Sequence, residues 1–161
     1  IRRGDRVVDL GAWPGGWLQV AAELVGPRGI VVGVDLVAVD PLPQAWVSTL
    51  VGDASDAAVL ATLRERCGGR VDVVLSDMAP KLSGIRDRDA ARAAGLAEAA
   101  VAVAEQLLAP GGRLLTKVFS GAESGALAQA RRVFATAKLT KPESSRRESA
   151  EMYLVATGRR A

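Results

Sequence analysis

Short apolar runs rich in valine and leucine recur along the chain. Between them stand longer stretches whose apolar positions repeat every three or four residues. The runs predict strands at residues 6–10, 29–35, 46–51, 71–76, 113–119, 137–141 and 152–157. The periodic stretches predict helices at 16–25, 54–66, 89–108 and 124–136. Pro27-Arg28-Gly29 and Ala109-Pro110-Gly111-Gly112 read as stops between a helix and the next strand. Alternation of strand and helix builds βαβ units, so the expected fold is α/β, a mostly parallel seven-stranded sheet with helices on both faces. No helical stretch separates the last two strands, which should pair antiparallel at one edge. Repeats, low-complexity tracts and domain boundaries are not evident, so residues 1–161 read as one domain.

Ligands of such sheets bind beyond the carboxyl ends of the strands, near the point where strand order reverses. Residues 9–16, Asp35, Asp53, Asp77 and Lys117 all stand there. The richest stretch is Val8-Asp-Leu-Gly-Ala-Trp-Pro-Gly-Gly-Trp17, a strand that feeds a helix through Gly11, Gly15 and Gly16. Such a turn leaves free N–H groups at the helix start and lets a ligand approach the backbone. Its glycine spacing is not the G-x-G-x-x-G of dinucleotide sites. Asp9 also opposes a pyrophosphate, because a carboxylate repels phosphates. A cationic or zwitterionic ligand tolerates it, and S-adenosylmethionine, with a sulfonium, an amino acid end and a ribose, fits. Asp35 closes the second strand, where a carboxylate accepts from ribose hydroxyls. Asp53, after the third strand, is placed to meet the adenine. The bland alternatives are a plain tight turn and, for Asp35, a helix cap.

Composition narrows the chemistry. The chain contains no histidine, which excludes a Ser-His-Asp mechanism and any His-ligated metal. Acid–base work falls to Asp, Glu, Lys or Tyr. Cys67 is the only cysteine, so there is no internal disulfide and no cysteine-based zinc site; this fits a reducing, cytoplasmic setting. A net charge of +3 is compatible with a nucleic-acid partner. No apolar run reaches the ~20 residues of a membrane span, so neither a metal nor a membrane is expected.

The second half of the chain brings an acid, a lysine and an acid to adjoining strand ends. They are Asp77 in Ser76-Asp-Met-Ala-Pro80, Lys117 in Thr116-Lys-Val-Phe119, and Glu151 in Glu151-Met-Tyr-Leu154. A lysine after an apolar strand is costly unless paired or functional. The alternatives are a snorkelling lysine and an ordinary exposed acid. No aromatic follows Pro80, so this string offers no stacking platform for a flipped base, and a ribose target fits better. Lys81, Arg86 and Arg88, in the loop after Pro80, and Arg146 and Arg147, before Glu151, could meet phosphates or be plain surface charge.

Taken together, residues 9–17, 76–80, 116–119 and 141–158 resemble the FtsJ/RrmJ family of ribosomal RNA 2′-O-methyltransferases, in order and spacing and essentially end to end. The resemblance implies a Rossmann-like S-adenosylmethionine-dependent methyltransferase fold and a Lys-Asp-Lys-Glu tetrad. Asp77 matches the tetrad aspartate, Lys117 the second lysine and Glu151 the glutamate. Gly15, Trp17, Asp35 and Asp53 match cofactor-contacting positions, and Asp77 would also hold the methyl donor. It implies a ribose target, expected to be a uridine, in large-subunit ribosomal RNA, met within the subunit by a monomeric enzyme.

Two positions depart from the pattern. Trp13 stands where the family has a small residue. The first tetrad lysine, which the family carries before the first strand, has no counterpart in Ile1-Arg2-Arg3; the expectation is a segment upstream of Ile1. Three alternatives stay open. A transfer RNA ribose methyltransferase would share nearly every motif. A non-catalytic cofactor- or RNA-binding module would explain the absent lysine. A nicotinamide-dependent dehydrogenase is opposed by the glycine spacing and Asp9.

Overall fold

The protein is described here by a computed structural model covering residues 1–81, 83–141 and 149–161. These residues form the strands β1 (Arg6–Leu10), β2 (Ile30–Asp35), β3 (Val47–Val51), β4 (Val71–Ser76), β5 (Leu108–Phe119), β6 (Phe134–Thr140) and β7 (Glu151–Arg159). The helices are α1 (Gly16–Val25), α2 (Ala57–Arg66), α3 (Arg86–Leu107) and α4 (Ser124–Val133). One sheet holds all seven strands in the order β3-β2-β1-β4-β5-β7-β6. β1 to β5 run parallel, and β7 enters antiparallel between β5 and β6. This is the expected α/β sheet. The order reverses between β1 and β4, which puts the ligand crevice beyond Leu10 and Ser76.

Side chains alternate between the two faces of a strand, and the central strands are apolar on both. Val8, Leu10, Val32, Val74, Leu114 and Leu154 meet α2, α3 and α4 through Leu63, Ala97, Ala104, Leu107 and Ala130. Val7, Val31, Val73 and Leu75 meet α1 through Leu18, Ala21 and Val25. Burying a side chain such as Leu18 stabilises by about 1.5–3 kcal/mol. α1 lies over β1 and β2. On the same face, β5 and β7 present Lys117 and its register partner Tyr153. No helix among the described residues is long and apolar enough to cross a membrane.

Several boundaries move from their expected places, each for a local reason. α2 begins at Ala57 rather than residue 54, because Asp53 turns back onto the Ser55 N–H at 2.8 Å and Asp56 caps the helix through Ala58 N–H at 2.8 Å. α3 begins at Arg86 rather than residue 89. Asp89, inside its first turn, accepts from the N–H groups of Ser83 and Gly84 at 2.8 and 3.1 Å and secures the entry. Arg86 and Arg88 therefore stand on a helix, not in the loop after Pro80. α4 ends at Val133, since Phe134 drops fully buried into the core and opens β6. Residues 109–112 are not a stop before β5. Leu108 already pairs with Val71 and Arg113 with Val73, so these four residues bulge out of a strand that has begun.

Candidate active site

The site grows from the ends of β1, β2, β4, β5 and β7. At β1, Asp9 is fully buried, and neither carboxylate oxygen has a hydrogen-bond partner. Burial first, then the charges of Asp77 and Asp35, push its pKa up to about 7. The turn that follows is pinned tightly: the N–H groups of Gly11 and Ala12 both donate to the Val34 carbonyl, at 2.9 and 3.2 Å. Gly11 is required on two counts. Its φ is +74°, and a Cβ there would stand 2.9 Å from Met78 Cγ and 3.0 Å from Met78 backbone. Gly16 differs: no atom lies within 4 Å of where its Cβ would be. Space at the first turn of α1 is therefore open to a ligand.

Asp35 braces this turn. Its two oxygens accept from the N–H groups of Trp13 at 3.0 Å and Val37 at 2.9 Å. The indole of Trp13 and the side chains of Leu36 and Val37 are exposed around it, giving the mouth an apolar rim. Asp53 is exposed, and its Oδ1 accepts from both the N–H and the hydroxyl of Ser55, at 2.8 and 2.6 Å. Those bonds hold its carboxyl below the usual value. Trp17 leans from α1 onto Tyr153, ring centroids 5.9 Å apart, and so links the turn to β7.

On the β4–β5–β7 side, Asp77 N–H donates to the Leu10 carbonyl at 3.0 Å, which carries the β1–β4 pairing one step past the strand. Its Oδ1 lies 2.8 Å from Lys117 Nζ, and Glu151 Oε1 lies 3.6 Å from the same nitrogen. The Lys117 side chain is only 9% exposed, whereas Asp77 and Glu151 are 35% and 45% exposed. The amine is thus held in the protein with its carboxylates toward the opening. Its nitrogen also lies 5.9 Å from the Phe119 ring centroid.

The fold thus brings Asp9, Asp35, Asp77, Lys117, Glu151, Gly11, Gly15, Gly16 and Trp17 to one end of the sheet. Asp53 stands farther out, after β3. Lys81, Arg86 and Arg88 are exposed near the opening, while Arg146 and Arg147 lie outside the described residues. Tyr153 is a site residue that the sequence reading left without a role. Burial, then Asp77 and Glu151, raise its pKa, against the opposing pull of Lys117. The signal was present: Glu151-x-Tyr153 and Lys117-x-Phe119 each have the two-residue spacing that puts both side chains on one face of a strand. Among the described residues, no group of three or more His, Cys, Asp or Glu could hold a metal ion.

Four carboxylates, Asp9, Asp35, Asp77 and Glu151, stand at this end of the sheet, and only Asp77 and Glu151 meet the one amine, Lys117. That excess suits a ligand carrying positive charge and disfavours a pyrophosphate. Asp9, buried without a partner, and the open space beside Gly16 fit a cofactor with an ammonium and a sulfonium. A sheet of this order, with a glycine turn at its switch point, is the Rossmann-like fold of S-adenosylmethionine-dependent methyltransferases. Aeropyrum pernix fibrillarin, solved with bound S-adenosyl-L-methionine, superposes with a TM-score of 0.69 at 17% identity, over 97% of this chain and 67% of that one.

The relationship is closer still within one branch of that class. The family model of the FtsJ-like methyltransferases matches residues 1–159, and the chain belongs to that family. It is 50% identical over 156 residues to the ribosomal RNA large subunit methyltransferase E of Methanothrix thermoacetophila, covering 96% of this chain and 60% of that one. The Syntrophobacter fumaroxidans protein of the same name is 48% identical, with 96% and 79% covered. The chain therefore spans between about three-fifths and four-fifths of the length of these two relatives. A crystal structure of a Plasmodium falciparum protein described as a ribosomal RNA methyltransferase superposes with a TM-score of 0.82 at 25% identity, over 98% of this chain and 88% of that one.

Proposed function

We propose that this chain is the catalytic unit of an S-adenosylmethionine-dependent methyltransferase that modifies a ribose 2′-hydroxyl, expected to be a uridine's, in large-subunit ribosomal RNA. The observation that carries the reading is the Lys117 amine, 2.8 Å from Asp77 and 3.6 Å from Glu151, at strand ends beside the unpartnered Asp9. The names of its relatives support the ribosomal substrate; our reading adds that a monomeric enzyme meets it within the large subunit in the cytoplasm.

When bound, the cofactor supplies an electrophilic methyl group on a sulfonium. Asp9 and the first turn of α1 would hold its amino acid end, with Gly16 leaving the backbone open to it while Gly11 and Gly15 shape the turn. Asp35 would meet the ribose at the free lone pairs of its oxygens, and Trp17 and Asp53 would border the nucleoside. Lys117 would take the proton of the RNA 2′-hydroxyl as that oxygen attacks. With that proton Lys117 would become an ammonium, and the methyl group that the cofactor would supply would pass to the freed 2′-oxygen. Asp77 and Glu151 then stabilise the charge that Lys117 has gained. They also fix its direction before the reaction, and alignment of this kind supplies much of a transfer's rate. Lys81, Arg86 and Arg88 would meet RNA phosphates, and we extend that role to Arg146 and Arg147.

The test is transfer of labelled methyl from S-adenosylmethionine to undermethylated large ribosomal subunits, with transfer RNA as a parallel substrate. The expected product is label in subunit RNA at a site resistant to alkaline cleavage, because a methylated 2′-oxygen cannot attack its own phosphodiester. Label on a base nitrogen overturns the ribose assignment, and label on transfer RNA alone overturns the ribosomal one.

A further inference from the structure

Beside the site, but outside the residues used above, lies a small cleft of about 120 Å³ between the loop after β4, the first turns of α3 and the end of β5. Its walls are mainly apolar: Pro80, Ala90, Ala93, Phe119 and Ala122. Asp89 stands at its edge and is fully engaged in bracing the loop, with Oδ1 on the N–H and hydroxyl of Ser83 and Oδ2 on Gly84 N–H. Pocket sites for whole drug-sized ligands run to roughly 300–1,000 Å³. This cleft is far below that range and holds a single ring.

Two observations tie the cleft to the reaction. Phe119 lines it, and the same ring centroid is 5.9 Å from Lys117 Nζ. Pro80 lines it, three residues beyond Asp77, the partner of that amine. A flat aromatic ring and a proline ring are surfaces on which a base stacks. The rim carries the charge a polynucleotide needs: Lys81 follows Pro80, and Arg86 lies on the α3 turn just before Ala90, both exposed. The string after Asp77 lacks an aromatic of its own. The fold supplies one from β5 instead.

We propose that this cleft seats the base of the nucleotide whose ribose is methylated, with Phe119 and Pro80 holding the ring while Lys117 addresses the neighbouring 2′-oxygen. The inference rests on the ribose-methylation reading above and adds a positioning site to it. Phe119 acts through the placement of the base and takes no part in proton transfer.

The experiment pairs protein and substrate changes. The full chain first methylates large subunits reconstituted on a ribosomal RNA transcript, and the modified nucleotide is mapped. A second transcript carries an abasic ribose at that position. Phe119→Ala should lower kcat/KM on the intact RNA by roughly tenfold to a hundredfold, the range of one lost base stack. On the abasic RNA the wild type should already be slow, and the substitution should cost nothing more. Ala90→Leu, which fills the cleft from the opposite wall, should reproduce that pattern. S-adenosylmethionine affinity, read by calorimetry, should stay unchanged in both variants, which reports intact folding. Equal losses on intact and abasic RNA would overturn the base-seating inference while leaving ribose methylation standing. No ribose methylation by the wild type would overturn the function reading, and this inference with it.

Discussion

At the end of β1, Asp9 is fully buried with neither oxygen hydrogen-bonded, while one strand away Asp77 holds the Lys117 amine at 2.8 Å. Asp9 lies in β1 and Asp77 directly follows the adjacent β4, yet one is paired within the protein and the other is not. The β4–β5–β7 side is paired from within: folding brings the Lys117 amine onto Asp77 and Glu151. The β1–β2 side is incomplete: its buried Asp9 has no partner within the protein, and below about pH 7 a proton neutralises it. A buried carboxylate without a cation costs free energy. The difference separates machinery that is preassembled from a pocket whose stability depends on what fills it.

The largest expected effect tests the paired side. Lys117→Ala should lower kcat by about 10²–10⁴-fold, the usual contribution of a positioned acid or base. Cofactor affinity should stay within about twofold, because proton transfer and cofactor retention belong to different sides. A loss of affinity as large as the loss of rate would break the comparison. Single-turnover methyl transfer together with calorimetry separates the two quantities.

Asp9 is the counterpart. Folding raises its pKa from 3.8 to about 7, so between those values the folded chain binds a proton that the unfolded chain has released. Stability therefore falls as pH rises from about 4 to 7 and stays low above, by on the order of 4 kcal/mol in the ligand-free protein. Asp9→Asn should remove this slope and raise Tm at pH 8. The same change should weaken S-adenosylmethionine binding by roughly tenfold to a hundredfold, the value of a hydrogen bond to a charged group. Thermal melts across pH, with and without cofactor, measure both. A variant that loses stability at pH 8 would show that Asp9 is not an unmet charge.

Much of the fold was legible because the sheet is parallel and buried: valine runs and glycine stops mark its strands, and β1, α1 and β4 fall at the expected residues. The glycine turn, Asp9 and Asp35 were legible because they lie within one βαβ unit. Less legible were features fixed by pairing across long separations. The Tyr153–Lys117 register depends on β7 entering between β5 and β6. The bulge at residues 109–112 depends on Val71 capturing Leu108 across the sheet. The placement of Phe119 beside Pro80 joins segments some forty residues apart, and local spacing does not encode it. The electrostatic state of Asp9 was legible only as a sign, since its burial comes from the packing of α1 and β4.

A smaller effect separates glycines that look alike in sequence. Gly11→Ala forces a side chain into a positive φ and against Met78 backbone at 3.0 Å. It should cost roughly 1–3 kcal/mol of stability and displace Asp77 with it, damaging both sides at once. Gly16→Ala meets no protein atom within 4 Å, so the ligand-free Tm should hold while cofactor affinity falls. If both variants lose Tm equally, Gly16 serves the fold and not the pocket.

The smallest effect is expected at Asp53, and its value lies in its sign. This acid is exposed, and its bonds to Ser55 hold its carboxyl below the usual value. A depressed pKa gives stability that is present above the unfolded value and lost as pH falls through the folded one. Asp9 works in the opposite direction, losing stability as pH rises. Asp53→Asn should therefore flatten the acid limb of the stability profile slightly, below about pH 4, and leave the neutral limb untouched. Asp9→Asn should flatten the limb between about pH 4 and 7 and leave the more acidic one untouched. Solvent screens an exposed pair, so the Asp53 change in Tm should be near the limit of detection and its effect on cofactor affinity no more than about threefold. If Asp53→Asn instead moves the neutral limb, the charge of Asp53 is felt by Asp9 across the pocket. The boundary between a solvated rim and a dry floor would then have to be redrawn to include it.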